Sequence, residues 1–168
     1  IYINKLNRFI KALAVKTRHR SLGGIKKRLE LKLLGSYSST WAPTPPSHVM
    51  IEITTRCNLS CTYCSLNDKT YRKTHTGDLA LDDVLKILPG IKGTKVLILY
   101  GLGEPLLYKD LEVIIKEAHK YVPFVCFTSN GLLLDEERSH TLMEAGLSWI
   151  QISLDSLDPE YHRRIRGG

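Results

Sequence analysis

The chain has 168 residues, 43% hydrophobic and 24% charged, which is ordinary for one globular domain plus an appendage. Its net charge of +7 is unevenly spread: residues 1–34 hold ten Lys/Arg against Glu30 alone, and residues 35–168 carry a net −2. Any inference from basic charge to nucleic acid is therefore confined to the first 34 residues, and no run of about 18 apolar residues exists to span a membrane.

Residues 3–17 are predicted to form an amphipathic helix, with Ile3, Leu6, Ile10 and Leu13 on one stripe and Lys5, Arg8 and Lys11 off it. A second basic, Leu-rich helical stretch is expected over 25–34, giving a helical arm over residues 1–35. Residues 36–47, with Pro43, Pro45 and Pro46, suit a linker, and a core domain is expected over 48–168. From there the pattern alternates. Strands are predicted at 48–54, 95–100, 123–128 and 149–153, and helices at 82–88, 110–121 and 135–145, with another starting at Asp158-Pro159. Repeated strand and helix imply an α/β fold with a parallel sheet and right-handed crossovers. Four strands are too few to close a barrel, so a partial (β/α) barrel of about four units is expected. A chain that opens on Ile1 and stops at Gly168 is expected to be a piece of a longer protein.

Each unusual loop falls just past a predicted strand, the edge where parallel α/β folds build their sites. The first loop holds Cys57, Cys61 and Cys64, three of the four cysteines, within eight residues. That crowding, with no export signal, favours metal chemistry in a reducing cytoplasm over a disulfide framework. Three thiolates around an iron–sulfur cubane would leave one iron free for an outside ligand. Two alternatives stand beside it: a tetrahedral Cys3His zinc site completed by His75, or thiols that are reduced and inert. Cys126, mid-strand between Val125 and Phe127, is expected to be a buried small hydrophobe.

The segment from Thr55 to Cys64 resembles the C-x3-C-x-aromatic-C signature of the radical S-adenosylmethionine superfamily. The resemblance implies that Cys57, Cys61 and Cys64 hold a [4Fe–4S] cluster and that Tyr63 lies against the adenine of S-adenosylmethionine. Gly101-Leu102-Gly103-Glu104-Pro105 is similar to the family's GGEP motif, with Leu102 as a departure. It implies that Gly103, Glu104 and Pro105 receive the methionyl amino group. Ser129-Asn130-Gly131 resembles the TNG turn. Ser153-Leu154-Asp155 resembles the SLD motif, which implies contacts from Ser129, Asn130, Ser153 and Asp155 to the cofactor. Arg164 or Arg166 is expected at its carboxylate.

The resemblance covers about residues 48–168. It is nearest in style to the branch containing molybdenum-cofactor cyclases and peptide-modifying maturases. It implies an enzyme that cleaves S-adenosylmethionine reductively, served by a flavodoxin- or ferredoxin-like electron donor and acting on a peptide or small molecule. The rival is a non-catalytic zinc module engaging an acidic partner through its basic arm. For that arm, packing of the apolar stripe against the barrel is expected ahead of peripheral contact with an anionic membrane through residues 1–34. Nucleic acid ranks third, because only Tyr2 and Phe9 are there to stack.

Overall fold

The computed structural model describes residues 44–167; the arm over 1–35 and most of the linker over 36–47 lie outside them. Four strands, β1 (His48–Ile51), β2 (Val96–Leu99), β3 (Phe124–Ser129) and β4 (Trp149–Ile152), pair in parallel in the order β1-β2-β3-β4. The helices between them are α1 (Lys69–His75), α2 (Leu81–Ile87), α3 (Leu111–Ala118) and α4 (Glu136–Glu144), and α5 (Pro159–Arg166) follows β4. The sheet is open, an α/β arc of a barrel as expected.

Parallel pairing requires crossovers, and the crossovers supply the core. Leu97, Leu99, Val125 and Phe127 share one sheet face, in register across β2 and β3. They pack with Leu111, Ile114, Ile115 and Ala118 of α3, Val84 of α2 and Leu142 of α4, all at most 1% exposed. The spacing of the four α3 residues places them on one stripe, which is why that helix docks there. Cys126, on the opposite face, is buried, and burial pushes its thiol pKa up.

Several boundaries depart from expectation. The first strand ends at Ile51, and Thr54 instead makes an isolated antiparallel bridge with Asp78. Pro89-Gly90 does not stop helical winding; a 3-10 turn over Leu88–Ile91 continues α2, because proline is tolerated in a first turn whose N–H is unused. Asp110 occupies a cap position without a capping bond, whereas Asp135 and Asp158 both accept from first-turn amides. The second strand is not equally covered on both faces: Val96 and Ile98 are half-buried. Helix α1 was not expected at all. It is polar throughout and buries no residue, so it carries no hydrophobic period, and only its Asp68 cap announces it.

Candidate functional site

The carboxyl edge of the sheet gathers four loops. The one after β1 carries the cysteines, and two features set its entry. Arg56 grips Asp78 as a fork, Nε to Oδ1 at 2.8 Å and Nη2 to Oδ2 at 2.7 Å, and also donates to the Leu107 carbonyl at 2.7 Å. The Thr54 hydroxyl donates to Asp78 Oδ1 at 2.6 Å. The bond from Arg56, aided by Thr54, holds the Asp78 carboxyl below the ordinary carboxylate range. The far end of the loop docks on α5: the amides of Ser60 and Thr62 donate to the carbonyls of Arg166 (3.3 Å) and Ile165 (2.8 Å). Those carbonyls belong to the last turn, which lacks intrahelical partners for them. Gly167 closes the helix in the left-handed region at φ +69°, where a side chain would also press on the Ser60 carbonyl.

The loop after β2 approaches this backbone closely. A Cβ on Gly103 would lie 2.1 Å from the Thr54 carbonyl oxygen, so only glycine fits. Its neighbour Glu104 donates its amide to the Arg56 carbonyl at 2.7 Å. The Glu104 side chain is 2% exposed. Oε1 accepts from Ser129 Oγ (2.7 Å) and the Leu106 amide (3.2 Å), and Oε2 accepts from the Asn130 amide (2.7 Å). A carboxylate has about four acceptor positions, so one remains, on Oε2. Pro105 is buried at the start of a 3-10 turn. Asn130 Nδ2 donates to Asn58 Oδ1 at 2.7 Å, tying the turn after β3 back to the cysteine loop. Ser153 continues the sheet pairing through its amide to the Ser129 carbonyl at 2.8 Å.

These loops enclose a cavity of about 190 Å³ lined by Cys57, Cys61 and Cys64 together with Tyr63, Gly101 to Glu104, Ser129, Asn130, Ser153 and Arg166. A second, more apolar cavity of about 390 Å³ meets it at Leu59, Asn130 and Arg166. Burial, opposed in part by the Leu59 amide on its sulfur, raises the Cys57 thiol pKa, and Glu104 and the two other cysteines add to it. Arg166, whose side chain is 12% exposed, reaches Cys61 Sγ at 3.9 Å, ion-pairs with Asp155 through Nε at 2.6 Å, and lies 5.7 Å over the Tyr63 ring. The Tyr63 hydroxyl donates to Asp155 Oδ2 at 2.7 Å. Desolvation of that hydroxyl and its bond to Asp155 push its pKa up to about 12, while the bonds from Tyr63 and Arg166 pull Asp155 down.

Pro105 is buried beside Glu104, Asp155 contacts Tyr63 and Arg166 in the wall, and the ten other expected residues named above line the cavity. Arg164 does not: its guanidinium lies over Tyr161, 5.0 Å from the ring, beside Asp158, Glu160 and Arg163 on another face of α5. Arg164 and Arg166 are two residues apart, about 200° around a helix, so both cannot face one cavity. Sequence reasoning also missed Arg72, Asn58, Asp78 and Glu52, whose side chains or backbone partners brace the loops. His75 is engaged elsewhere, with its ring stacked 4.0 Å from Tyr71 and Nδ1 at 2.8 Å from Thr74 Oγ1. Among the described residues no three His, Cys, Asp or Glu side chains gather tightly enough to hold a single metal ion, and nothing in the site favours the zinc reading. Three thiols in one loop around a cavity suit a larger, sulfur-bound cluster.

Known proteins resemble this chain in sequence and in fold. GTP 3′,8-cyclases from Nautilia profundicola and Petrotoga mobilis are 36% and 37% identical over 122 and 125 residues, covering 70% of this chain in each case. The chain spans under two fifths of the length of those relatives, 38% and 37%. Among solved structures, Streptococcus suis SuiB bound to S-adenosylmethionine matches at TM-score 0.61 and 20% identity, covering 86% of this chain and 30% of that one. BtrN in complex with AdoMet and 2-DOIA matches at 0.56 and 24%, covering 73% and 52%; at these identities the likeness is one of fold. The sequence profile described as Radical SAM superfamily matches residues 51–168, and the chain belongs to that superfamily.

Proposed function

We propose that this chain is the cofactor-binding part of an enzyme that cleaves S-adenosylmethionine reductively and uses the product radical on a small molecule or peptide. The observation that carries the reading is the single cavity shared by three cysteines and the turns after β2, β3 and β4. Family members use a [4Fe–4S] cluster and S-adenosylmethionine. When bound, that pair supplies an electron to the sulfonium and, from it, a 5′-deoxyadenosyl radical that abstracts hydrogen from the substrate.

The chain's own residues then do the holding and orienting. Cys57, Cys61 and Cys64 would hold the cluster, leaving one iron open for an amino acid's amino and carboxylate groups. The spare acceptor on Glu104 Oε2 suits an ammonium, and the backbone around Gly103 gives that group close access. Ser129, Asn130 and Ser153 offer polar contacts along the same wall, and Pro105 fixes the turn behind them. Arg166 is the arginine that suits a carboxylate here, with Asp155 and Tyr63 setting its orientation. A ferredoxin- or flavodoxin-like donor in the cytoplasm would supply the electron. The relatives' substrate is GTP, but the matched stretch is the cofactor part, so we assign no nucleotide to this chain.

Anaerobic reconstitution of the full-length protein tests the reading. About four irons should load per cysteine loop, and with a reductant 5′-deoxyadenosine should be released. Cys61→Ala should abolish both. Stoichiometric zinc with no iron uptake would overturn the proposal.

A further inference from the structure

Arg72 sits on α1, the polar helix that buries nothing, yet it is half-buried itself. Its guanidinium spends its donors on the cysteine loop. Nη2 donates to the Cys57 carbonyl (2.7 Å) and the Leu59 carbonyl (2.8 Å), and Nη1 donates to Ser60 Oγ (2.9 Å). No other side chain among the described residues donates hydrogen bonds to more than one carbonyl of the loop. A planar fork can satisfy such a set because its donors diverge at fixed angles; an ammonium acts as a point charge.

The placement has an electrostatic consequence. Three thiolates and the cluster they would hold form a concentrated negative charge, and a carbonyl turned towards it would be repelled. Arg72 collects two of the loop's carbonyls on the side of α1. The Leu59 amide is left aimed at Cys57 Sγ (3.4 Å), and those of Ser60 and Thr62 are left to seat on α5. One loop donor, the Leu59 amide, thus faces a sulfur, while the Cys57 and Leu59 carbonyls are held by Arg72. Helix α1 itself packs chiefly against the adjoining 3-10 turn Ser65–Asn67. Its contribution to the core is nil and its contribution to the loop is Arg72.

We propose that Arg72 is a positioning residue that preorganises the Cys57–Cys64 loop for its cluster. The proposal rests on the cluster reading above and deepens it. The test compares wild type, Arg72→Ala and Arg72→Lys in the full-length protein, in two arms. In the iron-free protein, hydrogen exchange of the Ser60 and Thr62 amides should be about tenfold or more faster in Arg72→Ala, because three charge-assisted bonds to the loop are gone. Amides of β2 and β3 should exchange as in wild type.

In the reconstituted protein, iron loss to a ferrous chelator should accelerate by about tenfold, and added guanidinium ion should slow it again. Arg72→Lys should fall between the two, keeping charge without the fork. Loop exchange and iron loss equal to wild type in a folded Arg72→Ala would overturn the proposal. If that variant does not fold, Arg72→Lys carries the test, and wild-type behaviour there overturns it. If wild type takes up no iron, the cluster reading fails, while the iron-free arm still judges Arg72.

Discussion

Gly101 and Gly103 lie two residues apart in one loop, and replacing each by alanine should have very different consequences. At Gly103 the added Cβ meets backbone: the Thr54 carbonyl oxygen at 2.1 Å, its carbon at 2.7 Å and the Arg56 carbonyl oxygen at 2.8 Å. None of these can rotate away, so the loop after β2 has to lift from the cysteine loop. Overpacking typically costs about 1–3 kcal/mol, and the lift breaks the Glu104 amide bond to Arg56, worth about 0.5–1.5 kcal/mol. Gly103→Ala should therefore lose roughly 2–4 kcal/mol.

At Gly101 the Cβ meets only the side chain of Glu52, which is exposed and can swing into solvent. The loss is then its bond from the Leu102 amide, about 1 kcal/mol. Urea unfolding followed by circular dichroism separates the two. With slopes of about 1–3 kcal/mol per molar, the Gly103→Ala midpoint should fall by roughly 1–2 M and that of Gly101→Ala by about 0.5 M. Equal midpoints, or Gly101→Ala as the weaker protein, would refute the reasoning that backbone proximity and not the motif's glycine content sets the requirement.

Asp78 is held below the ordinary carboxylate range by Arg56, so the stability it contributes is present above the unfolded value of about 3.9 and is lost as pH falls through its lower folded value. The thermal midpoint of Asp78→Asn should lie below wild type at pH 6, and the gap should close below about pH 4; a gap unchanged at pH 2.5 would refute this. Ser129→Ala removes a donor from the buried Glu104 carboxylate and should cost about 1.5–3 kcal/mol in urea unfolding, with no loss counting against the network. Equilibrium binding of S-adenosylmethionine to the reconstituted full-length protein should weaken about tenfold or more in Arg166→Ala and stay as in wild type in Arg164→Ala. The reverse order would put the wrong arginine in the cavity.

The alternation of strand and helix was legible because apolar period and caps are local signals: Leu111, Ile114, Ile115 and Ala118 announce a buried stripe, and Asp135 and Asp158 announce helix starts. The polar turns at the strand ends were legible for the same reason. Helix α1 was not, since Lys69 to His75 has no stripe, and with it went Arg72. Asp78 and Asn58 were also out of reach, because their partners lie 22 and 72 residues away and only the folded chain brings them together. The choice between Arg164 and Arg166 was available from helical phase alone, once α5 is taken as a regular helix that presents one face to the loop.

The docking of the cysteine loop on the last turn of α5 bears on synthesis. Ser60 and Thr62 wait for carbonyls at Arg166 and Ile165, more than a hundred residues downstream. A ribosome that has emitted all three cysteines has not yet made the backbone that seats them. For the time it takes to add those residues, several seconds at about 5–20 per second, the thiols travel without their socket. A cell that loads iron here has every reason to do so after the fourth strand is in place, and to keep the cysteines from oxidants until then.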